Sequence, residues 1–309
     1  MSEAKNKVVI IGGITVDIEG HPYGRLIYAD SNPGKISVAY GGVGRNIAEN
    51  LGRMGIPVSF FSVAGDDLMG RTAIRELSDL GVDVSGVRLL PDENTAMYIS
   101  ILNLVGDIEI GLSNMDALER ISREVIDDAV GAAADAKMVV LDTNLTEDTL
   151  AYTIERFKGK PLFLDPVSTT KAKRAKDHIG EFHTIKPNRM EAEVLLDMEI
   201  RDPKALEEAG KRFIEKGVKQ VFISLSAGGV YFTDGVHSEL FRPLRELKSE
   251  GSATGAGDAF SAAVIYSFIH GYDMVKTARF SLAAASLAME SKTAVNPDLT
   301  VEEIERRSR

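Results

Sequence analysis

Short runs of hydrophobic residues alternate along the chain with longer segments in which hydrophobic positions recur every three or four residues. The short runs are rich in Val, Ile and Phe and predict strands, whereas the longer segments predict amphipathic helices. The predicted strands are Val8–Ile11, Val58–Val63, Met138–Leu141, Leu162–Leu164, Thr184–Lys186, Val221–Leu225 and Val230–Phe232. The predicted helices are Gly44–Met54, Gly70–Leu80, Ser122–Ala134, Glu147–Arg156, Met190–Leu196, Pro203–Lys216, Gly257–His270, Met274–Ser291 and Val301–Arg306. This alternation is typical of an α/β fold built on a mostly parallel sheet.

Two segments break the alternation of strands and helices. Residues Ile18 to Tyr40 combine Gly and Pro with alternating polar and hydrophobic positions, and Met97–Leu102 with Ile108–Ile110 form a predicted hairpin around a Gly-containing turn. We expect these segments, at about 18–40 and 95–112, to form a small β appendage. Open α/β sheets bind ligands at the carboxyl ends of their strands, so such an appendage would exclude water from a reaction there.

The composition narrows the class of protein. The chain has 309 residues, of which 44% are hydrophobic and 27% charged, which fits one globular domain over 1–309. The formal net charge of −10 leaves no broad basic face, so nucleic-acid and membrane partners are not expected. The absence of cysteine excludes disulfides, a thiolate metal site and a cysteine nucleophile. No signal peptide or membrane-spanning run is present, so we expect a cytoplasmic protein.

The strongest chemical signal is Thr254-Gly255-Ala256-Gly257-Asp258-Ala259-Phe260, small residues that open a predicted helix. Backbone N–H groups at such a helix start converge on an anion, and the helix dipole adds to the attraction. Asp258 in the first turn would accept the proton of an attacking hydroxyl while these N–H groups stabilise a transferring phosphoryl group. The alternative is a glycine-rich turn whose Asp favours the helix N-terminus. Phe260 stands where a dinucleotide fingerprint needs a small residue, and no P-loop lysine follows.

A second glycine-rich segment, Gly41-Gly42-Val43-Gly44-Arg45-Asn46, precedes another amphipathic helix. Glycines allow a ligand close to the backbone, and the amide of Asn46 would bind sugar hydroxyls as donor and acceptor. Asp17, which follows the first strand, is either a capping residue or an acceptor for two hydroxyls. A purely structural role stays open for both residues: Asn46 at the entry of a helix, and Asp17 as a helix or turn cap.

A third segment, Lys186-Pro187-Asn188-Arg189-Met190-Glu191, joins a strand to a helix. Asn188 and Glu191 lie one turn apart and would order the hydration shell of Mg²⁺ bound to ATP. The same spacing is also a capping box, and Asp165-Pro166-Val167-Ser168 at another strand end is equally ambiguous. The five histidines show no metal-binding spacing, and no serine-hydrolase elbow is present.

Together, Gly41–Asn46 and Thr254–Ala259 resemble the two signatures of the ribokinase-like (phosphofructokinase-B-type) sugar kinases, over nearly the whole chain. Four further segments are most similar to the pseudouridine kinases within that family: Tyr28–Lys35, Asp165–Ser168, Lys186–Arg189 and Asn296–Leu299. The resemblance implies a three-layer αβα sandwich with a β lid, paired with a second lid in a homodimer. It also implies ATP-dependent, Mg²⁺-dependent phosphorylation of the 5′-hydroxyl of pseudouridine, in nucleoside catabolism.

The resemblance also assigns roles to individual residues. Asp258 would be the catalytic base, and Gly255, Ala256 and Gly257 the anion hole. Asp17, Gly41, Gly42 and Asn46 would hold the ribose, with Ser31, Asn32 and Asn114 near the nucleobase. The ATP-binding residues would be Asn188, Ser224, Ser226, Gly228, Gly229 and Asn296, with Glu191 and Asn188 serving Mg²⁺ through water.

Three positions depart from the family pattern: Thr15, where many relatives have Asn; Ser226, where the nucleotide loop often begins with Gly; and Ser252, where potassium-activated relatives carry Asp. The last leaves dependence on a monovalent cation open. Two alternatives to a pseudouridine kinase also stay open. One is another kinase of this family acting on ribose, fructose or adenosine, and the other is a catalytically silent regulator that binds a sugar or nucleoside.

Overall fold

The computed structural model describes residues 6–242 and 255–308. Its strands are β1 Val8–Ile11, β2 Thr15–Pro22, β3 Gly34–Gly41, β4 Val58–Gly65, β5 Asp83–Leu90, β6 Met97–Leu102, β7 Ile108–Asn114, β8 Met138–Asp142, β9 Leu162–Asp165, β10 Thr184–Ile185, β11 Gln220–Ser224, β12 Val230–Thr233 and β13 Ser238–Phe241. Its helices are α1 Val43–Arg53, α2 Leu68–Asp79, α3 Arg123–Ala132, α4 Glu147–Arg156, α5 Thr169–Ala172, α6 Arg189–Leu196, α7 Pro203–Lys216, α8 Ala256–Ile269, α9 Met274–Ala288 and α10 Val301–Ser308. No helix in these ranges is long and apolar enough to span a bilayer.

Within the described residues, the main sheet has nine strands in the order β13-β12-β11-β10-β9-β8-β1-β4-β5. From β11 to β5 in this order, each strand is parallel to its neighbours, and β12 and β13 add an antiparallel edge next to β11. The predicted mostly parallel sheet is confirmed. Because parallel strands end at a common edge, the loops that follow β1, β8, β9 and β10 meet at one side of the sheet.

Alternate residues of the central strands enter two separate cores. Val8 and Ile10 of β1 pack in one cluster with α1, α2, α8 and α9, whereas Val9 and Ile11 pack in another with α3, α4, α6 and α7. All four side chains are fully buried, as expected of a strand covered by helices on both faces. The three-layer αβα architecture is therefore confirmed.

A second sheet, with four strands in the described part of the chain in the order β3-β2-β6-β7, forms the lid. It contains both segments that broke the sequence pattern, although its strands begin earlier and end later than the predicted bounds. Directly paired residues lie on the same face of a sheet. One lid face therefore carries two apolar rows, Ile36-Gly20-Ile101-Ile110 and Val38-Ile18-Ile99-Leu112. The opposite face carries polar residues, among them Asp17 and Glu19.

Two strands of the main sheet, β5 and β13, were not predicted. Both lie at edges of the sheet and are only partly buried. Strand β5 includes Asp83, Ser85 and Arg88, which interrupt the hydrophobic run expected of a strand. An edge strand is exposed along one side, so its sequence is not constrained to be apolar throughout.

Candidate active site

Helix α8 begins at the glycine-rich turn and carries Asp258 in its first turn. Gly255 caps the helix with φ of 87°, and a Cβ on this residue would collide with the carbonyl oxygen of Ala294. Only glycine fits both the backbone angle and the space. The N-terminus of a largely buried helix is thus fixed beside Asp258, whose own exposure is only 9%. Thr254, the first residue of the predicted signature, lies outside the described residues.

Asp258 and Asn46 meet although they are far apart in the chain. The Asn46 amide Nδ2 donates to Asp258 Oδ2 at 2.8 Å. Burial, assisted by the negative charge of Asp165, raises the pKa of Asp258 to about 7, despite the lowering effects of Asn46 and Lys186. A carboxyl group that titrates near neutral pH is suited to act as a general base. The two glycine-rich segments therefore converge on one carboxylate.

A buried ion pair lies beneath the anion-hole residues. Lys186 Nζ is 3.1 Å from Asp165 Oδ2, and the Ser261 hydroxyl donates to the same oxygen at 2.8 Å. A Cβ on Gly257 would lie 3.2 Å from Lys186 Nζ, so the backbone of the turn passes directly over the ammonium. Sequence reasoning did not assign Lys186 to the site. Its position at the end of a buried strand was the available signal.

Asp17 lies against the second glycine-rich segment. A Cβ on Gly41 would collide with Asp17 Oδ2, and Gly42, with φ of 97°, would collide with the carbonyl oxygen of Gly13. Asp17 is partly buried; burial raises its pKa, and the neighbouring Arg45 lowers it. The structure thus brings Asp17 of β2 together with Gly41 and Gly42, which directly precede α1, the helix that carries Asn46.

Asp142, which sequence reasoning missed, fixes the backbone of this region. Its Oδ2 accepts from Gly13 N at 2.9 Å and from Gly44 N at 2.8 Å. Asn144 donates to the same carboxylate through its backbone N–H and its amide Nδ2, both at 2.9 Å. A carboxylate that accepts four N–H bonds ties the ends of β1 and β8 to the start of α1.

Asn188 and Glu191 form a capping box at the start of α6. Asn188 Oδ1 accepts from Glu191 N at 2.9 Å, and Glu191 Oε2 accepts from Asn188 N at 2.8 Å. These two bonds use neither Glu191 Oε1 nor the Asn188 amide nitrogen. Glu191 is 4% exposed, and burial raises its pKa, which Lys186 lowers. A carboxylate oxygen beside the buried cluster fits the hard-oxygen preference of Mg²⁺, directly or through water.

The nucleotide-binding candidates lie on neighbouring turns. Ser224 forms a bridge with Asn188, and the 3₁₀ turn Ser226–Gly228 follows. Ser226 has φ of 51°, the left-handed conformation that favours glycine, and Gly229 has φ of 93°. The backbone of Ser226 thus takes the conformation that a glycine would adopt there.

Asn296 is buried, and its side chain organises the turn after α9. Its Nδ2 donates to the carbonyl oxygen of Leu287 at 2.7 Å, and its Oδ1 accepts from Asp298 N at 2.9 Å. Ala294, two residues earlier, is the residue packed against Gly255. Asn296 therefore supports the segment that backs the anion hole.

The nucleobase candidates occupy two different ends of the lid. Asn32 clamps its own loop, because Oδ1 accepts from Ile27 N at 2.8 Å while Nδ2 donates to the carbonyl oxygens of Ile27 and Asp30. This loop, which also contains Ser31, follows Pro22, the last residue of β2. Pro22 lies roughly 17 Å along the strand from Asp17. Asn114 instead pairs with Met97 at the end of the lid near Asp17 and accepts from Asp116 N.

The chain is similar to known carbohydrate kinases over nearly its full length. A family model described as pfkB family carbohydrate kinase matches residues 5–301. The pseudouridine kinase of Escherichia coli (strain K12) is 33% identical over 298 residues, which cover 96% of this chain and 95% of that protein.

Solved structures show the same fold. A carbohydrate kinase from Agrobacterium tumefaciens superposes with a TM-score of 0.85 at 25% identity, covering 98% of this chain and 97% of that one. Arabidopsis thaliana ribokinase, complexed with ribose and ATP, superposes with a TM-score of 0.86 at 22% identity, covering 98% and 99%.

Proposed function

The chain belongs to the pfkB family of carbohydrate kinases. We propose that it transfers the γ-phosphoryl group of ATP to a hydroxyl of a nucleoside. The observation that carries the proposal is the pairing of Asp258, whose pKa burial raises to about 7, with the open backbone turn at Gly255. A base poised near neutral pH stands next to a helix N-terminus, and phosphoryl transfer to an alcohol needs both.

The residues divide the reaction between them. Asp258 takes the proton of the acceptor hydroxyl, whose oxygen forms a bond to the γ-phosphorus while the bond to the departing ADP oxygen breaks. Backbone N–H groups at Gly255, Ala256 and Gly257 stabilise the charge on the transferring group. Asn46 orients the Asp258 carboxylate by its 2.8 Å hydrogen bond.

The remaining residues bind the two substrates. Asp17, beside Gly41 and Gly42, accepts hydrogen bonds from the hydroxyl groups of the ribose. Asn188 and Glu191 would hold Mg²⁺ through water, and the ion supplies positive charge that neutralises the phosphates. The nucleotide itself would lie along Ser226, Gly228 and Gly229.

The proposed acceptor is pseudouridine, phosphorylated on its 5′-hydroxyl. The similarity to a pseudouridine kinase along 96% of the chain supports this choice. Segments Tyr28–Lys35 and Asp165–Ser168, which resemble the pseudouridine kinases, support it as well. The competing acceptors are ribose, fructose and other nucleosides, on which other members of the family act.

The test is a panel of acceptors assayed with Mg-ATP: pseudouridine, uridine, adenosine, ribose and fructose. We expect the highest kcat/KM with pseudouridine and discrimination of roughly ten-fold or more against uridine, which lacks one ring N–H donor. Equal use of uridine would overturn the assignment of pseudouridine but not the kinase chemistry. No ATP turnover with any acceptor would favour a silent binding protein.

A further inference from the structure

A line of polar contacts leads from Asp258 to a lysine that the reaction described above does not use. Asn46, which bonds Asp258, lies two residues from Gly44, whose N–H donates to Asp142. The Asp142 carboxylate accepts from the amide of Asn144, and Asn144 Oδ1 accepts from Lys171 Nζ at 2.5 Å. Lys171 thus stands on the same edge of the sheet as the acceptor site.

The ammonium of Lys171 is unusual in its surroundings. Burial lowers the pKa of Lys171, opposed by the attraction of Asp142. Lys186, the other lysine of this region, has Asp165 at 3.1 Å, whereas Lys171 has no carboxylate within ion-pair distance among the described residues. An ammonium has three N–H donors, and the bond to Asn144 uses one. Leaving donors unpaired in a partly buried site costs free energy, which an acceptor on a ligand would recover.

The backbone that presents Lys171 is strained and firmly held. Val167 has φ of 63°, an outlier for a β-branched residue, and its N–H donates to Asp165 Oδ1 at 3.1 Å. Ser168 then caps α5 by accepting from Lys171 N. On the other side, Arg174 donates to the carbonyl oxygens of three successive residues, 143, 144 and 145. Strain of this kind persists where surrounding structure fixes a functional geometry.

We propose that Lys171, oriented by Asn144, binds a carbonyl oxygen on the non-sugar part of the acceptor and so selects nucleosides over free sugars. This inference rests on the proposed function. A neutral carbonyl fits better than an anionic group, because the negative charge of the Asp142 carboxylate, which accepts from Asn144, would repel an anion. The guanidinium of Arg174 faces the protein backbone through Nη1, which donates to three carbonyl oxygens, and its Nη2 lies 3.9 Å from Glu119 Oε1.

The test compares Lys171→Met with Lys173→Met, a matched loss of charge at an exposed position two residues away. The acceptors are pseudouridine, a C-nucleoside with a phenyl ring in place of uracil, and ribose. For Lys171→Met we expect kcat/KM for pseudouridine to fall roughly ten- to one-hundred-fold, mainly through KM, as a hydrogen bond to a charged group predicts. The phenyl C-nucleoside and ribose should change less than about three-fold, and Lys173→Met should resemble wild type.

The outcomes separate this inference from the proposed function. An equal loss with all three acceptors, or no loss with pseudouridine, would overturn the role of Lys171 while leaving the kinase assignment in place. A wild-type protein that phosphorylates none of the acceptors would overturn the proposed function, and this inference with it. Lys171→Gln, which keeps one donor at a similar reach, should recover part of the pseudouridine KM if the variant with Met is folded but impaired.

Discussion

Asp258 combines a catalytic position with an electrostatic cost, and both follow from its surroundings. We predict that Asp258→Asn lowers kcat by about 10²–10⁴-fold, the usual effect of removing a general base. Binding of ATP should change little, because the side chain acts on the acceptor hydroxyl. Measurements of kcat and of the Kd for ATP test the two parts separately. A variant that keeps more than half of wild-type kcat would exclude Asp258 as the base.

The raised pKa of Asp258 predicts how activity and stability depend on pH. The base is active when deprotonated, so kcat/KM should rise with pH, reach half its maximum near pH 7 and level off above. Stability should change in the opposite direction. Between the ordinary pKa of 3.8 and about 7, the folded chain holds a proton that the unfolded chain has released, so rising pH destabilises the fold.

The check is a comparison of melting temperatures for wild type and Asp258→Asn between pH 5.5 and pH 8.5. The variant removes the ionisable group, so its melting temperature relative to that of wild type should increase with pH up to about 7. Above that pH the difference should stay constant. An advantage that is the same at every pH would mean that Asp258 has an ordinary pKa in the folded protein.

The sequence predicted Asp258 and Gly255 because their signature is contiguous and chemically distinctive. Asp142 left no such signal, because it is a single carboxylate at a strand end. Its partners Gly13 and Gly44 are 129 and 98 residues away in sequence. The adjacency of β1 and β8 brings Gly13 to Asp142, and the packing of the start of α1 against Gly12 brings Gly44 there. Both are properties of the topology rather than of any local pattern.

Glu191, in the capping box at the start of α6, has two proposed roles: it caps the helix and it serves Mg²⁺. Two substitutions of Glu191 distinguish them. Glu191→Gln keeps an oxygen that accepts from Asn188 N but removes the charge, whereas Glu191→Ala removes both. We expect Gln to leave the free energy of unfolding within about 0.5 kcal/mol of wild type and Ala to lower it by about 1 kcal/mol.

Both variants of Glu191 should need more Mg²⁺ for half-maximal activity, because both lose the negative charge. The measurement is a Mg²⁺ titration at fixed ATP beside a thermal or denaturant unfolding curve. If Glu191→Gln has a wild-type Mg²⁺ requirement, the residue serves only as a helix cap.

The elements themselves were predictable to different degrees. Strands such as β1 and β8 are buried on both faces, so their sequences are apolar throughout and their bounds came within one residue. The predicted hairpin of the lid was found, but its second strand, β7, extends to Asn114 rather than Ile110. Exposed strands need not be apolar, because some of their side chains face solvent and others pack against neighbouring strands.

In the molecule as a whole, the apolar face of the lid is exposed to solvent. Four of its side chains are largely exposed: Ile36 at 72%, Val38 at 47%, Ile110 at 48% and Leu112 at 68%. They lie in adjacent rows of one sheet, so they form a continuous hydrophobic surface rather than scattered residues. Strand β6 is covered by β2 and β7, which leaves β3 and β7 as the open edges of the lid in the described chain.

A second copy of the chain offers the matching surface, because a two-fold axis places identical apolar faces against each other. We therefore predict a homodimer that packs lid against lid, with the polar faces and Asp17 turned toward the two active sites. Val38→Glu places a charge in the buried interface and should shift the protein to monomers at micromolar concentration. Val236→Glu, the same substitution at an 83% exposed position after β12, should leave the dimer intact. Sedimentation measures both, and a wild-type protein that is monomeric and fully active at that concentration would contradict the prediction.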